Sequence, residues 1–188
     1  METINRVKII LGGSGGQGIL TLGKHLAYAG MKNGYEVSCL PTYSAEMRGG
    51  YIYCFVTISK EQEIFSPLSK SCDIGVFLND MSYKMLRTYL KKDSFIILNS
   101  SLIKNLKKNK KIFEIPATET AERIGDIRIA NMVIAGAISK LISEKFFDFR
   151  YSFLLSEVEK VVTNENIVKL CKIAIKEGYN YLENLLLK

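Results

Sequence analysis

The sequence predicts a single α/β domain in three layers, α/β/α, around a mixed, mostly parallel sheet of about six or seven strands. Three observations carry that expectation. An apolar run, Val7, Ile9, Ile10 and Leu11, leads into Gly12-Gly13-Ser14-Gly15-Gly16-Gln17-Gly18 and then into a helical pattern reaching Met31, the order strand, glycine loop, helix. The second half of the chain alternates short apolar strands with helical patterns. Between these regions two strand-like runs are joined by a loop with no helical pattern, and a parallel crossover normally needs a dozen or more residues, so the sheet is not purely parallel.

Taken in order, Gln17 to Lys32 places Ile19, Leu22, Gly23, Leu26, Ala27, Gly30 and Met31 at helical spacing, with Lys24, Tyr28 and Lys32 on other faces. His25, the only histidine, sits inside this helix without a nearby acid and is expected as a surface or capping group, not a general base. Asn33-Gly34 ends the helix. Tyr35 to Leu40 and Tyr51 to Ile58 read as strands, either antiparallel neighbours or members of a mixed sheet at a distance. Ile64 to Ser71 reads as loop and short turn. Asp73 to Asn79 is a short buried strand whose end, Asn79-Asp80, caps a helix running to Leu90. Phe95 to Leu98 is a further strand, followed by a second plausible helix cap at Asn99-Ser100-Ser101. Lys111 to Ile115 makes the sixth strand. Pro116 and Thr118 open a helix with Glu122 as a candidate capping-box partner. Ile129 to Ile142 is apolar on more than one face and is expected as the buried helix, while Ser152 to Val162 and Ile167 to Leu187 read as amphipathic closing helices.

A chain of 188 residues, 47% hydrophobic and 24% charged, suits one domain with a substantial core. The net charge of +7 favours acidic partners, anionic cofactors or nucleic acid, yet the cations are scattered. The densest run, Lys104 to Lys111, lacks interleaved aromatics to stack on bases and reads as a solvated helix end and turn, which argues against nucleic acid. Cys39, Cys54, Cys72 and Cys171 form no C-x-x-C pair, so a metal or iron–sulfur site built from this chain alone is not expected. The first three are expected on or beside strands as free thiols, which suits a reducing cytoplasm. No apolar stretch approaches 18 residues and no signal-peptide core is evident, so no membrane association is expected.

Gly13, Gly15 and Gly18 fit G-x-G-x-x-G between a strand and a helix. Such glycines let bare backbone approach a ligand while the first N–H groups of the helix face an anion, a contribution of about 0.3 to 1 kcal/mol at an exposed site. The dinucleotide form of this motif also needs a carboxylate at the end of the second strand, where this chain has Cys39-Leu40-Pro41-Thr42; Glu36 lies at the strand's start and Glu46 well past its end. That removes the discriminating residue for NAD or FAD. Two readings remain, an anion site or close helix-on-strand packing with no ligand. The loop Pro41 to Gly50 carries an aromatic, a carboxylate, a guanidinium and two glycines, a composition suited to a functional surface, in which Glu46 and Arg48 either brace each other or contact a ligand or partner.

Four runs, Gly13-Ser14-Gly15-Gly16-Gln17-Gly18, Tyr43-Ser44-Ala45-Glu46-Met47-Arg48-Gly49-Gly50, Ile115-Pro116-Ala117-Thr118 with Ala121, and Ala130-Asn131-Met132-Val133 with Gly136, stand together in the chain. Together they resemble one family, the gamma subunit of the 2-oxoacid:ferredoxin (or flavodoxin) oxidoreductases, and most of all its 2-oxoglutarate branch. The Glu-Met-Arg-Gly-Gly loop is the specific signature, and the chain departs from the family's usual pattern at Asn99, Asp126 and Cys171. The resemblance implies a single gamma-type domain over residues 1–188, part of a multi-subunit enzyme that oxidatively decarboxylates a 2-oxoacid to its acyl-coenzyme A and passes electrons to ferredoxin or flavodoxin. It implies alpha, beta and delta partner subunits, with thiamine diphosphate and the iron–sulfur clusters on those chains and no cofactor held tightly by this one. It further implies a coenzyme A contact built from Gly13, Gly15, Gly16, Gln17 and Gly18, with Tyr43, Glu46, Arg48, Gly49 and Gly50 beside it, and no catalytic residue of the chain's own. The competing readings are a free-standing nucleotide-binding α/β protein with its own activity, and an assembly scaffold whose glycine loop binds nothing.

Overall fold

A computed structural model describes residues 5–43, 51–61, 64, 66, 68, 70–104 and 111–187, apart from the side chain of Tyr43. The apolar run lies in strand β1 (Arg6–Ser14), which continues through Gly12 and Gly13. It leads into helix α1 (Ile19–Lys32) and strands β2 (Glu36–Tyr43), β3 (Tyr51–Ser59) and β4 (Cys72–Phe77). Helix α2 (Asp80–Leu86), a 3-10 turn (Arg87–Tyr89), β5 (Leu90–Asn99), β6 (Ile112–Ile115) and α3 (Ala117–Ile124) follow. A second 3-10 turn (Ile127–Ile129) runs into α4 (Ala130–Lys145), and α5 (Tyr151–Glu157), a third 3-10 turn (Val158–Lys160) and α6 (Glu165–Leu186) close the chain.

The strands form one sheet in the order β2-β3-β1-β4-β5-β6. Pairs β1–β4, β4–β5 and β5–β6 are parallel, while β3 runs antiparallel to both β1 and β2, which settles the alternative left open for the Tyr35 and Tyr51 runs. Helix α1 therefore carries the chain from β1 over β3 to the sheet edge, and β3 returns to fill the gap. The sheet is mixed but mostly parallel, as expected.

Alternation along β1 sorts the core into two unequal layers. Val7, Ile9 and Leu11 face the layer built by α1, α3, α4, α5 and α6, and Ile10 faces a smaller cluster with Phe55, Phe77, Leu86 and Leu98 under α2. Helix α4 is buried from Asn131 to Ile142, hence its apolar residues on every face. It meets α6 backbone to backbone: a Cβ on Gly136 would lie 1.9 Å from the Ile175 carbonyl oxygen, and one on Gly178 would lie 1.8 Å from that of Val133. Further along the crossing the Lys140 ammonium, nearly buried, bonds Glu144 at 2.6 Å and Glu183 at 2.8 Å; burial opposes its charge, and the two carboxylates outweigh that and raise its pKa.

Local expectations failed where distant contacts won. The helix expected to reach Leu90 stops at Leu86 and β5 begins at Leu90, which pairs with Cys72 of β4, while Lys91 and Asp93 form ion pairs with Asp73 and Lys111. No helix follows Asn99 among the described residues; residues 105–110 of the lysine run lie outside them. The Asn99 side chain instead accepts from Ser101 N and donates to Thr118 Oγ1 at 2.8 Å. Helix α3 starts at Ala117 with Pro116 as its cap and no side-chain cap bond, so the Thr118–Glu122 capping box does not form. The closing helix expected to Val162 ends at Glu157 in a 3-10 turn.

His25 is neither a surface nor a capping group. It is 0% exposed, with Nε2 2.8 Å from the Leu154 carbonyl of α5 and Nδ1 without a partner among the described residues. The carbonyl requires Nε2 to carry the proton, and burial lowers the pKa because a second proton on Nδ1 would find no acceptor.

Two predictions follow from this packing. Gly136→Ala forces a methyl into a carbonyl and should cost about 3 kcal/mol in denaturant unfolding; a loss under about 1 kcal/mol would mean that the helices separate easily. Because the unfolded chain binds the His25 proton more readily than the folded one, His25 contributes most above its unfolded pKa of about 6.5. Stability should fall as pH drops from about 7.5 towards 5, by at most about 1.4 kcal/mol per pH unit from this group. In His25→Gln, whose amide can still donate to Leu154, that part of the Tm dependence on pH should vanish.

Candidate functional site

Strands β1 and β4 are parallel neighbours whose following helices leave to opposite faces, α1 to the five-helix layer and α2 to the other. A crevice outside the carboxyl ends of strands at such a reversal is where open α/β sheets receive ligands. Here its walls are the glycine loop after Ser14 and the segment Leu78-Asn79.

A side-chain network joins the two walls. The Asn79 amide donates to Ser14 Oγ at 2.7 Å and to Gln17 Oε1 at 2.8 Å, while its oxygen accepts from Ser82 N and caps α2. Gln17 Oε1 also accepts from Ser14 N at 2.7 Å, and its Nε2 reaches the Leu78 carbonyl at 3.4 Å. Gln17 therefore braces the loop and keeps one amide hydrogen for a further acceptor. Gly13 is buried at the end of β1, whereas Gly15 and Gly16 are exposed at the crest of the loop.

Gly18 opens α1 in a left-handed conformation, φ +73°, which favours glycine. A Cβ there would also lie 2.4 Å from Asn131 Nδ2, the amide that donates to the Gly18 carbonyl at 3.2 Å. With no side-chain cap, the first-turn N–H groups of α1 retain capacity for an external acceptor.

Beside this helix start lies a cavity of about 330 Å³ lined by Gly18, Thr21, Arg128, Asn131, Thr163 and Asn164, among others. Its polar wall comes from the starts of three helices: Gly18 caps α1, Asn131 is in the first turn of α4, and Asn164 caps α6 by accepting from Asn166 N and Ile167 N. Each such end carries about half a positive charge. Arg128 stands at the same wall, held to Asp126 by Nε–Oδ1 at 2.9 Å and Nη2–Oδ2 at 2.6 Å. The Arg128 hydrogen bonds hold the Asp126 carboxyl below its usual range, so the pair stays ionised at neutral pH.

The structure thus brings together Gly13, Gly15, Gly16, Gln17 and Gly18. Tyr43 ends β2 opposite Ile52, and Tyr51 at the start of β3 pairs with Ser14, so the strand ends flanking the 44–50 loop emerge beside the glycine loop. Glu46, Arg48, Gly49 and Gly50 themselves lie outside the described residues. Glu36 pairs with Ser59 at the opposite end of the sheet, away from the loop.

Sequence reasoning missed Asn79, Arg128, Thr163 and Asn164 as members of this region. In the sequence Asn79 reads only as a cap, and Asn164 stands ahead of the closing helix expected from Ile167. Asn131 was visible as part of a motif but not as the partner of Gly18. Among the described residues no cluster of three or more His, Cys, Asp or Glu could hold a metal ion, and no helix is long and apolar enough to cross a membrane.

Comparison with known proteins fits this geometry to a family. A family model described as pyruvate ferredoxin/flavodoxin oxidoreductase matches residues 8–181. Ketoisovalerate oxidoreductase subunit VorA of Methanothermobacter thermautotrophicus is 31% identical over 160 residues, 83% of this chain and 33% of VorA, so the chain spans about a third of that relative's length. The 2-oxoglutarate synthase subunit KorC of the same organism is 34% identical over 147 residues, 72% of this chain and 76% of KorC. In fold, the solved 2-oxoglutarate:ferredoxin oxidoreductase of Magnetococcus marinus, with 2-oxoglutarate, coenzyme A and succinyl-CoA bound, matches at a TM-score of 0.82 and 22% identity, covering 96% of this chain and 31% of that one. The chain belongs to the pyruvate ferredoxin/flavodoxin oxidoreductase family, as a gamma-type subunit.

Proposed function

We propose that the chain serves a cytoplasmic, multi-subunit 2-oxoacid:ferredoxin or flavodoxin oxidoreductase, acting on 2-oxoglutarate, and that its glycine loop and adjoining cavity hold the phosphates of coenzyme A. The observation that carries this reading is the convergence of three helix starts and Arg128 on one cavity beside an uncapped glycine loop. A pyrophosphate presents acceptor oxygens and negative charge, which suit free N–H groups, positive dipole ends and a guanidinium. In the relatives, 2-oxoglutarate enters through the name of KorC and coenzyme A through the complex from Magnetococcus marinus.

Within this chain, the exposed backbone of Gly15 and Gly16 and the remaining Gln17 amide hydrogen would meet the anion. Asn131 would fix the start of α1, and Arg48 and Glu46 would act from the neighbouring loop, Glu46 orienting the guanidinium. Thiamine diphosphate, which supplies the carbanion chemistry of decarboxylation, and the iron–sulfur clusters would sit on alpha, beta or delta partners. The chain's own task is to bind and orient the thiol-bearing cosubstrate and to complete the assembly.

Tagging the chain in its native cell should recover larger subunits with 2-oxoglutarate-dependent acceptor reduction, and the isolated chain should turn over no substrate. Turnover by the isolated chain would favour the free-standing reading. In the assembled enzyme, Arg48→Ala should raise the KM for coenzyme A about tenfold, the loss of roughly 1.4 kcal/mol, with the KM for the oxoacid unchanged. An unchanged KM for coenzyme A in an intact assembly would remove Arg48 from the ligand site.

A further inference from the structure

At the outer edge of the sheet two thiols meet. Cys54 on β3 pairs in register with Pro41, two residues beyond Cys39 on β2, so the cysteines are diagonal neighbours on one face, and their sulfurs stand 3.5 Å apart. Helix α1 leaves room for them at Gly23, where a Cβ would lie 2.8 Å from Cys54 Sγ and 3.5 Å from Cys39 Sγ. The notch opens into a cavity of about 310 Å³ lined by Leu20, Lys24, Tyr28, Pro41 and both cysteines, among others.

The two sulfurs are not equivalent. Both line the cavity, but Cys39 is half-buried there, while Cys54 is fully buried. A hydrogen bond from Cys54 favours the Cys39 thiolate against the cost of its burial, and the charge of Lys24 adds to this, so the Cys39 thiol is lowered. The same bond, with burial, raises Cys54 and keeps it protonated. A half-buried sulfur at a cavity with a second thiol in contact behind it is the arrangement in which one sulfur reacts and the other resolves the product. The remaining cysteines lie elsewhere, Cys72 on β4 and Cys171 on α6, at 0% and 1% exposure.

We propose that Cys39 and Cys54 form a thiol-oxidation site, in which a hydroperoxide entering the cavity reacts at Cys39 and Cys54 then closes a reversible disulfide. In the first step the Cys39 thiolate attacks the terminal oxygen of the hydroperoxide. The S–O bond forms, the O–O bond breaks, and the departing alkoxide or hydroxide takes a proton from solvent. In the second, Cys54 sulfur attacks Cys39 sulfur, the S–S bond forms, and the S–O bond breaks, its hydroxide leaving as water with the Cys54 proton. Overall, two thiols and one hydroperoxide become a disulfide, an alcohol or water, and one water; a dithiol reductant reverses the change. The disulfide would bind the edge strand β2 covalently to β3.

The test treats the native full chain with hydrogen peroxide, denatures it, alkylates the remaining thiols and maps them by mass spectrometry. Two of the four thiols should be lost, a Cys39–Cys54 linked peptide should appear, and dithiothreitol should restore both. Cys54→Ser should accumulate a Cys39 sulfenic acid that dimedone captures, and Cys39→Ser should leave Cys54 unmodified. The proposal is overturned if the wild-type chain keeps all four thiols, or if Cys72 or Cys171 oxidises as fast as Cys39.

Discussion

The contact on which the site depends is the crossing of α4 and α6, where glycine on each helix brings main chain against main chain. Gly136 and Gly178 face the carbonyls of Ile175 and Val133, and neither position has room for a methyl group. Helix α4 is buried from Asn131 to Ile142 and packs mainly against α6. Its first turn then arrives beside the start of α1, where Asn131 bonds the Gly18 carbonyl. Without the close crossing, the three helix starts would not share a cavity wall.

The second constraint is the reversal between β1 and β4. Gln17 and Asn79 convert it from a gap into a shaped crevice, each amide satisfying the other and the turn at Ser14. This network spends most of its polar capacity on the loop itself. What remains outward is bare backbone at Gly15 and Gly16, one amide hydrogen of Gln17, the uncapped first turn of α1 and the paired Arg128. Such a set, bare N–H groups, helix-terminal dipoles and a guanidinium, is chemistry that suits an anion.

Much of this was legible in the chain. The strand–glycine–helix order, the mixed sheet and the buried helix all rest on periodicity and on turn residues that act locally. The errors share one cause, long-range contacts that local patterns do not encode. Leu90 starts a strand by pairing with Cys72 of β4, and Asn99 bonds Thr118 in the first turn of α3, not a helix that follows it directly. His25 was misplaced because nothing near it in sequence announces the Leu154 carbonyl. The site was half visible for the same reason. The glycines are contiguous, but Asn79, Arg128 and Asn164 join them only through the topology.

The central claim, that the glycine loop and the neighbouring helix starts receive the phosphates of coenzyme A, is tested most directly by amide hydrogen exchange on the assembled enzyme with and without coenzyme A. The account predicts slowed exchange at residues 15–21 and 128–132, with the far end of the sheet around Glu36 and Ser59 unchanged. Unaltered exchange at the loop and helix starts, in an enzyme that demonstrably binds coenzyme A, would contradict it.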